Sequence, residues 1–163
     1  QTSLVGSEMC IRDSFNGASN RLELVYQSSD TIIFKDFAHS PSKVKATTEA
    51  VRKQFPNRKL ISFFELHTYS SLNPLFLEKY RDTLKHSDEC YIYYSEKNMK
   101  IKRLEPIDSE LIIKSFNHHS LNVIDNYEKL NQIIYNLDLS NSVLLMMSSG
   151  KFGGLDFNKI KNS

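Results

Sequence analysis

Several polar side chains stand just past apolar runs, where a ligand could reach them. Asp36 and His39 follow Thr31-Ile32-Ile33-Phe34, and His67 and Tyr69 follow Leu60-Ile61-Ser62-Phe63-Phe64. Ser149 and Lys151 follow Val143-Leu144-Leu145-Met146-Met147, with glycines at 150, 153 and 154. Together they offer a carboxylate, two imidazoles, hydroxyls, an ammonium and backbone N–H groups. That chemistry suits a polar ligand such as a nucleotide sugar, a ribose or a carboxylate.

The three clusters meet only if the intervening chain brings them to one edge. Thr31–Phe34 is rich in β-branched and aromatic residues, and the other two runs are nearly or fully apolar and of strand length, as in strands covered on both faces. Arg21 to Tyr26 alternates polar and apolar residues as a half-buried strand would. Ser40 and Pro41 suit a cap and first position of a helix to about Phe55, with Val44, Thr47, Thr48 and Val51 on one stripe. Asn73 and Pro74 open a predicted helix to about His86, burying Leu75, Leu77, Tyr80 and Leu84. Glu89–Ser95 reads as the next strand, and residues 96–106 as a charged connection with a short strand. Asp108 caps a helix through Phe116, Leu121–Ile124 forms a strand, and Asn126 caps a helix to about Leu137. Alternation of this kind predicts a Rossmann-like, doubly wound α/β fold with a mostly parallel sheet flanked by helices. In such sheets ligands bind at the carboxyl ends of the strands.

Composition sets the bounds. The 163 residues suffice for one core, with 40% hydrophobic and 25% charged residues. A net charge of +2 argues for neither nucleic acid nor an anionic membrane as partner. No apolar run reaches the roughly 18 residues of a membrane span. The two cysteines, Cys10 and Cys90, have no metal or disulfide spacing, which fits a reducing cytoplasm. Cys90 reads as a core residue rather than a reactive thiol. His118-His119 reads as a solvated helix end, since adjacent helical residues diverge too far to share a metal. No metal site is assigned. Tyr91, Tyr93 and Tyr94 read as sheet packing, for no basic stripe accompanies them. Ser149-Gly150-Lys151-Phe152 lacks the spacing and the Ser/Thr of a triphosphate-binding loop.

Asp36-Phe37-Ala38-His39-Ser40-Pro41 resembles the C-terminal domain of the Mur ligase family, the ATP-dependent cytoplasmic enzymes of peptidoglycan precursor synthesis. The resemblance continues through Ala46-Thr47-Thr48, Phe55-Pro56-Asn57-Arg58 and Phe64-Glu65-Leu66-His67-Thr68-Tyr69-Ser70, to Met147-Ser148-Ser149-Gly150-Lys151-Phe152-Gly153-Gly154. The ending is more similar to the murein peptide ligase branch than to the alanine-adding branch. Residues 1–14 resemble translated sequencing-adapter DNA and are expected to be an artefact or a disordered stretch; if an artefact, the natural protein begins upstream. Residues 15–30 are then the end of a central domain and a linker, 31–157 the C-terminal domain, and 158–163 a tail.

The resemblance implies a ligase that joins UDP-N-acetylmuramate to the tripeptide L-alanyl-γ-D-glutamyl-meso-diaminopimelate through an acyl phosphate, in peptidoglycan recycling. It implies ATP and Mg2+, with the magnesium ligands and UDP site in the missing N-terminal and central domains. This stretch alone is expected to be inactive, and no residue in it is assigned as catalytic. Arg21, Asp36 and His39 are implied at the ATP site, Asp36 toward the ribose and Arg21 toward phosphate. His67, Tyr69, Ser149 and Lys151 are candidates for the acceptor site. Ser40 stands where many relatives have a second histidine, and Glu65–Ser71 lacks the arginines of the alanine-adding pattern. The alternatives are a UDP-N-acetylmuramate–L-alanine ligase, or a non-catalytic α/β module that binds a nucleotide or peptide.

Overall fold

The computed structural model describes residues 22–162. Arg21, Cys10 and the adapter-like stretch 1–14 lie outside these residues. Six strands form one sheet in the order β1-β2-β6-β3-β4-β5. They are β1 (Glu23–Gln27), β2 (Thr31–Asp36), β3 (Lys59–Glu65), β4 (Glu89–Tyr93), β5 (Leu121–Ile124) and β6 (Ser142–Met147). The strand β1, within the stretch assigned to the linker, pairs antiparallel with β2; the other pairs are parallel. This is the expected Rossmann-like, doubly wound α/β architecture.

Side-chain alternation divides the core into two layers. Ile32, Phe34, Leu60, Phe64, Val143 and Leu145 pack on one face, beneath α1 (Pro41–Gln54), α2 (Pro74–Leu77) and α4 (Ser109–Phe116). Ile33, Ile61, Phe63, Leu144 and Met146 pack on the other, beneath α5 (Tyr127–Tyr135). Every residue of β6 is buried, as the fully apolar run predicts for a central strand. Cys90 is enclosed, and burial pushes its thiol up to about 12, so it serves as a core residue. Tyr91, Tyr93 and Tyr94 are also buried.

Local capping works where expected at three helices. Asn73, Asp108 and Asn126 accept from the backbone N–H groups of Leu75, Glu110 and Lys129. Ser40 departs from this pattern. It occupies the cap position before Pro41, but its hydroxyl makes no capping bond, and only its carbonyl accepts, from Val44 N–H at 2.9 Å.

Three elements differ from the sequence expectation. The helix opened by Asn73 does not reach His86, and Leu75 in its first turn is 88% exposed rather than buried. It becomes a 3-10 turn at Glu78–Tyr80 and ends where Asp82 takes a positive φ of 61°. A long-range contact overrides helical propensity there: Asp82 N–H donates to the Phe116 carbonyl, and its side chain accepts from Asn117. Residues 96–106 hold no strand. Ser95 caps a helix, α3 (Glu96–Ile101), by accepting from Asn98 N–H, and buried Met99 anchors it. The segment ahead of His118-His119 ends at Phe116, with Asn117 in the left-handed region at φ 55°. His118 then lies 2.7 Å from the Ser87 carbonyl, and its ring stacks on His119 at 4.4 Å.

The end of the sheet remote from the polar clusters is closed by Arg52. Its guanidinium donates to the carbonyls of His86 and Arg58 and pairs with Asp88, which also accepts from Leu60 N–H. Burial pushes the Asp88 carboxyl up, but Leu60 N–H and Arg52 outweigh it and hold it below the usual carboxylate range. The stabilisation is therefore complete above the ordinary aspartate pKa of about 3.9 and fades as pH falls through the lower folded value. Asp88→Asn should lower the urea midpoint at pH 7, and the gap from wild type should close in acid. A pH-independent gap in urea titrations would count against the pair.

Candidate functional site

The register of the sheet brings the three polar clusters together. Asp36 and Phe64 both pair with Met147, one on each side of β6, so β2, β6 and β3 end level. The loops leaving them begin at adjacent points on one edge. Asp36, His67 and Ser149 therefore emerge at the same end of the molecule.

Asp36 is 4% exposed, and its Oδ2 accepts from Ala38 N–H at 2.9 Å and the Thr47 hydroxyl at 3.3 Å. The first bond closes an Asx-type turn, and the second fixes that turn to α1. Thr47 lies on the buried stripe of the helix, so the helix position dictates the carboxylate's orientation. His39 stands on the same turn, with Nδ1 3.1 Å from the Phe37 carbonyl and its ring edge-on to Phe37. Its own carbonyl accepts from the Tyr80 hydroxyl at 2.6 Å. Local and cross-element bonds thus hold this loop on both sides.

A cleft of about 760 Å³ opens beside Asp36. Lys35, Asp36, Ser148, Gly150 and Lys151 line its polar side, and Phe37, Phe152, Leu155 and Phe157 its apolar side. The Lys35 ammonium lies 3.5 Å from Glu23 and 5.3 Å from the centre of the Phe157 ring. Lys151 is exposed at the mouth. The two ammonium groups are matched by the carboxylates of Glu23 and Asp36, which also line the cleft, so the lining suits a polar ligand that carries a flat or apolar part. The wall comes partly from beyond the glycine-rich loop, where 3-10 turns at Phe152–Gly154 and Phe157–Asn162 pack back on the sheet. Ile160, in the stretch read as a polar tail, is fully buried.

Glu65 is the residue whose importance the sequence concealed. It is 4% exposed, and its Oε1 accepts from the Ser148 hydroxyl at 2.6 Å and from Phe152 N–H at 2.9 Å. Ser148 Oγ in turn accepts from Gly150 N–H at 2.7 Å. A charged residue ending an otherwise apolar buried run was the available signal. The phenol of neighbouring Tyr93 is pushed up to about 12, first by burial and then by the charge of Glu65. The Ser148 hydroxyl gives its proton to a carboxylate and has no imidazole base, which is not the arrangement of an activated nucleophile.

The acceptor-site candidates divide. His67 Nδ1 is 3.7 Å from Glu65 Oε2, and its ring lies against Gly150 so closely that an added Cβ would come within 2.8 Å. Ser149 Oγ is buried with no hydrogen-bond partner among the described residues. Lys151 lines the cleft, whereas Tyr69 stands to the side, 62% exposed, beneath the Lys102 ammonium at 4.9 Å. Lys102 also donates to the His67 carbonyl at 2.6 Å and so pins this loop from α3. Its part was invisible in sequence because the bond spans 35 positions.

Among the described residues no group of three or more His, Cys, Asp or Glu side chains could hold a metal ion. No helix there is long and apolar enough to cross a membrane.

Gly153 explains the tightness of the loop. It has φ 67°, and an added Cβ would lie 2.5 Å from the Tyr127 ring and 3.0 Å from the Tyr93 hydroxyl. Gly153→Ala should cost about 1–3 kcal/mol in urea unfolding, as strain and overpacking combine. Wild-type stability in this variant would show that the loop yields freely.

Comparison with known proteins places this geometry. The Mur ligase, glutamate ligase domain matches residues 20–150. A UDP-N-acetylmuramate–L-alanine ligase from Sulfurihydrogenibium sp. is 30% identical over 142 residues, covering 85% of this chain and 30% of the relative. The murein peptide ligase of Psychrobacter arcticus superimposes with a TM-score of 0.68 at 20% identity, over 88% of this chain and 30% of that one. The UDP-N-acetylmuramate–alanine ligase of Thermotoga maritima gives 0.60 at 15% identity, over 86% and 28%. This chain thus spans less than a third of the length of each of these relatives.

Proposed function

The chain belongs to the Mur ligase family through its glutamate ligase domain, and we propose that it is the closing C-terminal domain of an ATP-dependent ligase. The reaction proposed joins UDP-N-acetylmuramate to L-alanyl-γ-D-glutamyl-meso-diaminopimelate, in peptidoglycan recycling. The observation that carries this reading is the gathering of Asp36, Lys151, Glu65 and His67 on one rim, at the level ends of β2, β6 and β3. Bound ATP would supply the phosphoryl group that activates the sugar's carboxylate, with Mg2+ held by domains upstream.

The residues of this chain do the binding and shielding. Asp36, oriented by Ala38 and Thr47, would accept hydrogen bonds from ribose hydroxyls, with His39 supporting its turn. Arg21 would meet phosphate with a permanent charge. His67 and Lys151 would face the acceptor, with Tyr69 at its margin and Ser149 contributing through the loop it shares with Lys151, since its hydroxyl is buried. The apolar wall at Phe152 and Phe157 would help exclude water from a hydrolysable activated carboxylate. Closure of such a domain assembles a site whose other half lies on the same chain, in its N-terminal and central domains. By itself this stretch would bind but not turn over, in the reducing cytoplasm where its substrates are made.

A second reading has a specific observation behind it. The Sulfurihydrogenibium relative acts with L-alanine, so the acceptor is the open choice within the family. The full-length enzyme should release phosphate from ATP with UDP-N-acetylmuramate and the tripeptide, and far less with L-alanine. The reverse preference would assign the alanine-adding reaction. In the same assay Asp36→Ala should weaken apparent ATP binding by about 1–3 kcal/mol, the scale of charged hydrogen bonds. Asp36→Asn, which can still accept from Ala38 N–H, controls for loss of the turn. Unchanged ATP kinetics in Asp36→Ala would remove this carboxylate from the site.

A further inference from the structure

We infer that Glu65 is a positioning residue: its buried carboxylate fastens the loop after β6 to the end of β3, so that His67 and Lys151 meet the acceptor as one rigid rim. The assignment to the acceptor rests on the ligase reading given above. The fastening itself rests on geometry alone.

A carboxylate 4% exposed at the end of an apolar strand is costly unless its lone pairs are used. Here Oε1 takes two donors, one from a side chain and one from the backbone. The Ser148 hydroxyl passes the connection on to Gly150 N–H. Two backbone amides of the glycine-rich loop, at 150 and 152, are therefore oriented by one side chain on another strand. Oε2 faces the opposite way, toward His67 at 3.7 Å, and the imidazole rests on Gly150. The loop after β6 is thus fastened through Oε1, while the imidazole of the loop after β3 lies alongside Oε2, beyond hydrogen-bond distance.

Strand alternation keeps this brace apart from the Asp36 turn. Asp36 leaves β2 on the face covered by α1, where Thr47 receives it. Glu65 leaves β3 with the parity of Ile61 and Phe63, on the face that carries Phe152. Ser148 is bonded to both, its N–H donating to the Asp36 carbonyl and its hydroxyl to Glu65. Breaking the Glu65 brace should therefore disturb the acceptor side more than the nucleotide side.

The test compares wild type, Glu65→Ala, Glu65→Gln and Ser148→Ala in the full-length protein. Gln keeps a carbonyl oxygen for Ser148 and Phe152, so it should rescue what Ala loses. Hydrogen exchange needs no activity. Glu65→Ala should speed exchange at the Gly150 and Phe152 amides about tenfold, and Ser148→Ala chiefly at Gly150, while Leu144 and Leu145 stay protected. In steady-state assays with the tripeptide and with L-alanine, Glu65→Ala should raise KM for the preferred acceptor about tenfold and KM for ATP less than about threefold. Unchanged exchange at both loop amides, or a uniform rise through the sheet, would overturn the brace. Equal changes in both KM values, or no recovery with Gln, would overturn the positioning role. If wild type ligates neither acceptor, the ligase reading falls separately, and the exchange data still decide the brace.

Discussion

Ser148 is held from both sides. Its N–H donates to the Asp36 carbonyl at the end of β2, and its hydroxyl donates to Glu65 at the end of β3. Both bonds are possible only because β6 is inserted between those strands in parallel register, with all of its residues buried. A shift of one residue would turn the alternate apolar residues of β6 to the wrong layer and carry Ser148 away from Glu65. Core packing thereby fixes the positions of the polar rim, and the rim inherits the rigidity of the sheet.

On that foundation the rim has two separate supports. The Asp36 turn belongs to the α1 layer and is closed by Thr47 and, through the His39 carbonyl, by Tyr80. Tyr80 also stacks on Phe116 with centroids 5.1 Å apart, so the turn is coupled to α4. The Glu65 brace belongs to the opposite layer and is backed by Tyr93 and Phe152, whose rings stack at 6.2 Å. The two sides of the rim are thus supported by separate core layers and joined at Ser148. Lys102 adds a clamp on the outer loop, through the His67 carbonyl and the Tyr69 ring.

Sequence patterns revealed the sheet because most strands are short, largely apolar runs bounded by turn residues, and β1 alternates polar and apolar residues. They revealed the caps at Asn73, Asp108 and Asn126 because capping is a local event between neighbours. Where bonding is long-range, the pattern was silent. The break at Asp82 depends on the Phe116 carbonyl and Asn117, and the pinning of the loop after β3 depends on Lys102. Ser40 had the correct residue type for a cap, yet its hydroxyl is not used as one. At the site, Asp36, His67 and Ser149 were found from their place after strands, whereas Glu65 was read as part of its strand. Its chemistry emerges only when Ser148 and Phe152 are placed beside it.

The central claim is that the level ends of β2, β6 and β3 form the ligand-facing rim of this domain. Hydrogen exchange of the full-length protein, with and without ATP, Mg2+ and UDP-N-acetylmuramate, addresses it most directly. Protection should appear at residues 36–40 and 148–154, with little change at Asn57, Ser87 and Asn141 on the opposite edge. Protection confined to that opposite edge, or none at either rim loop, would contradict the account.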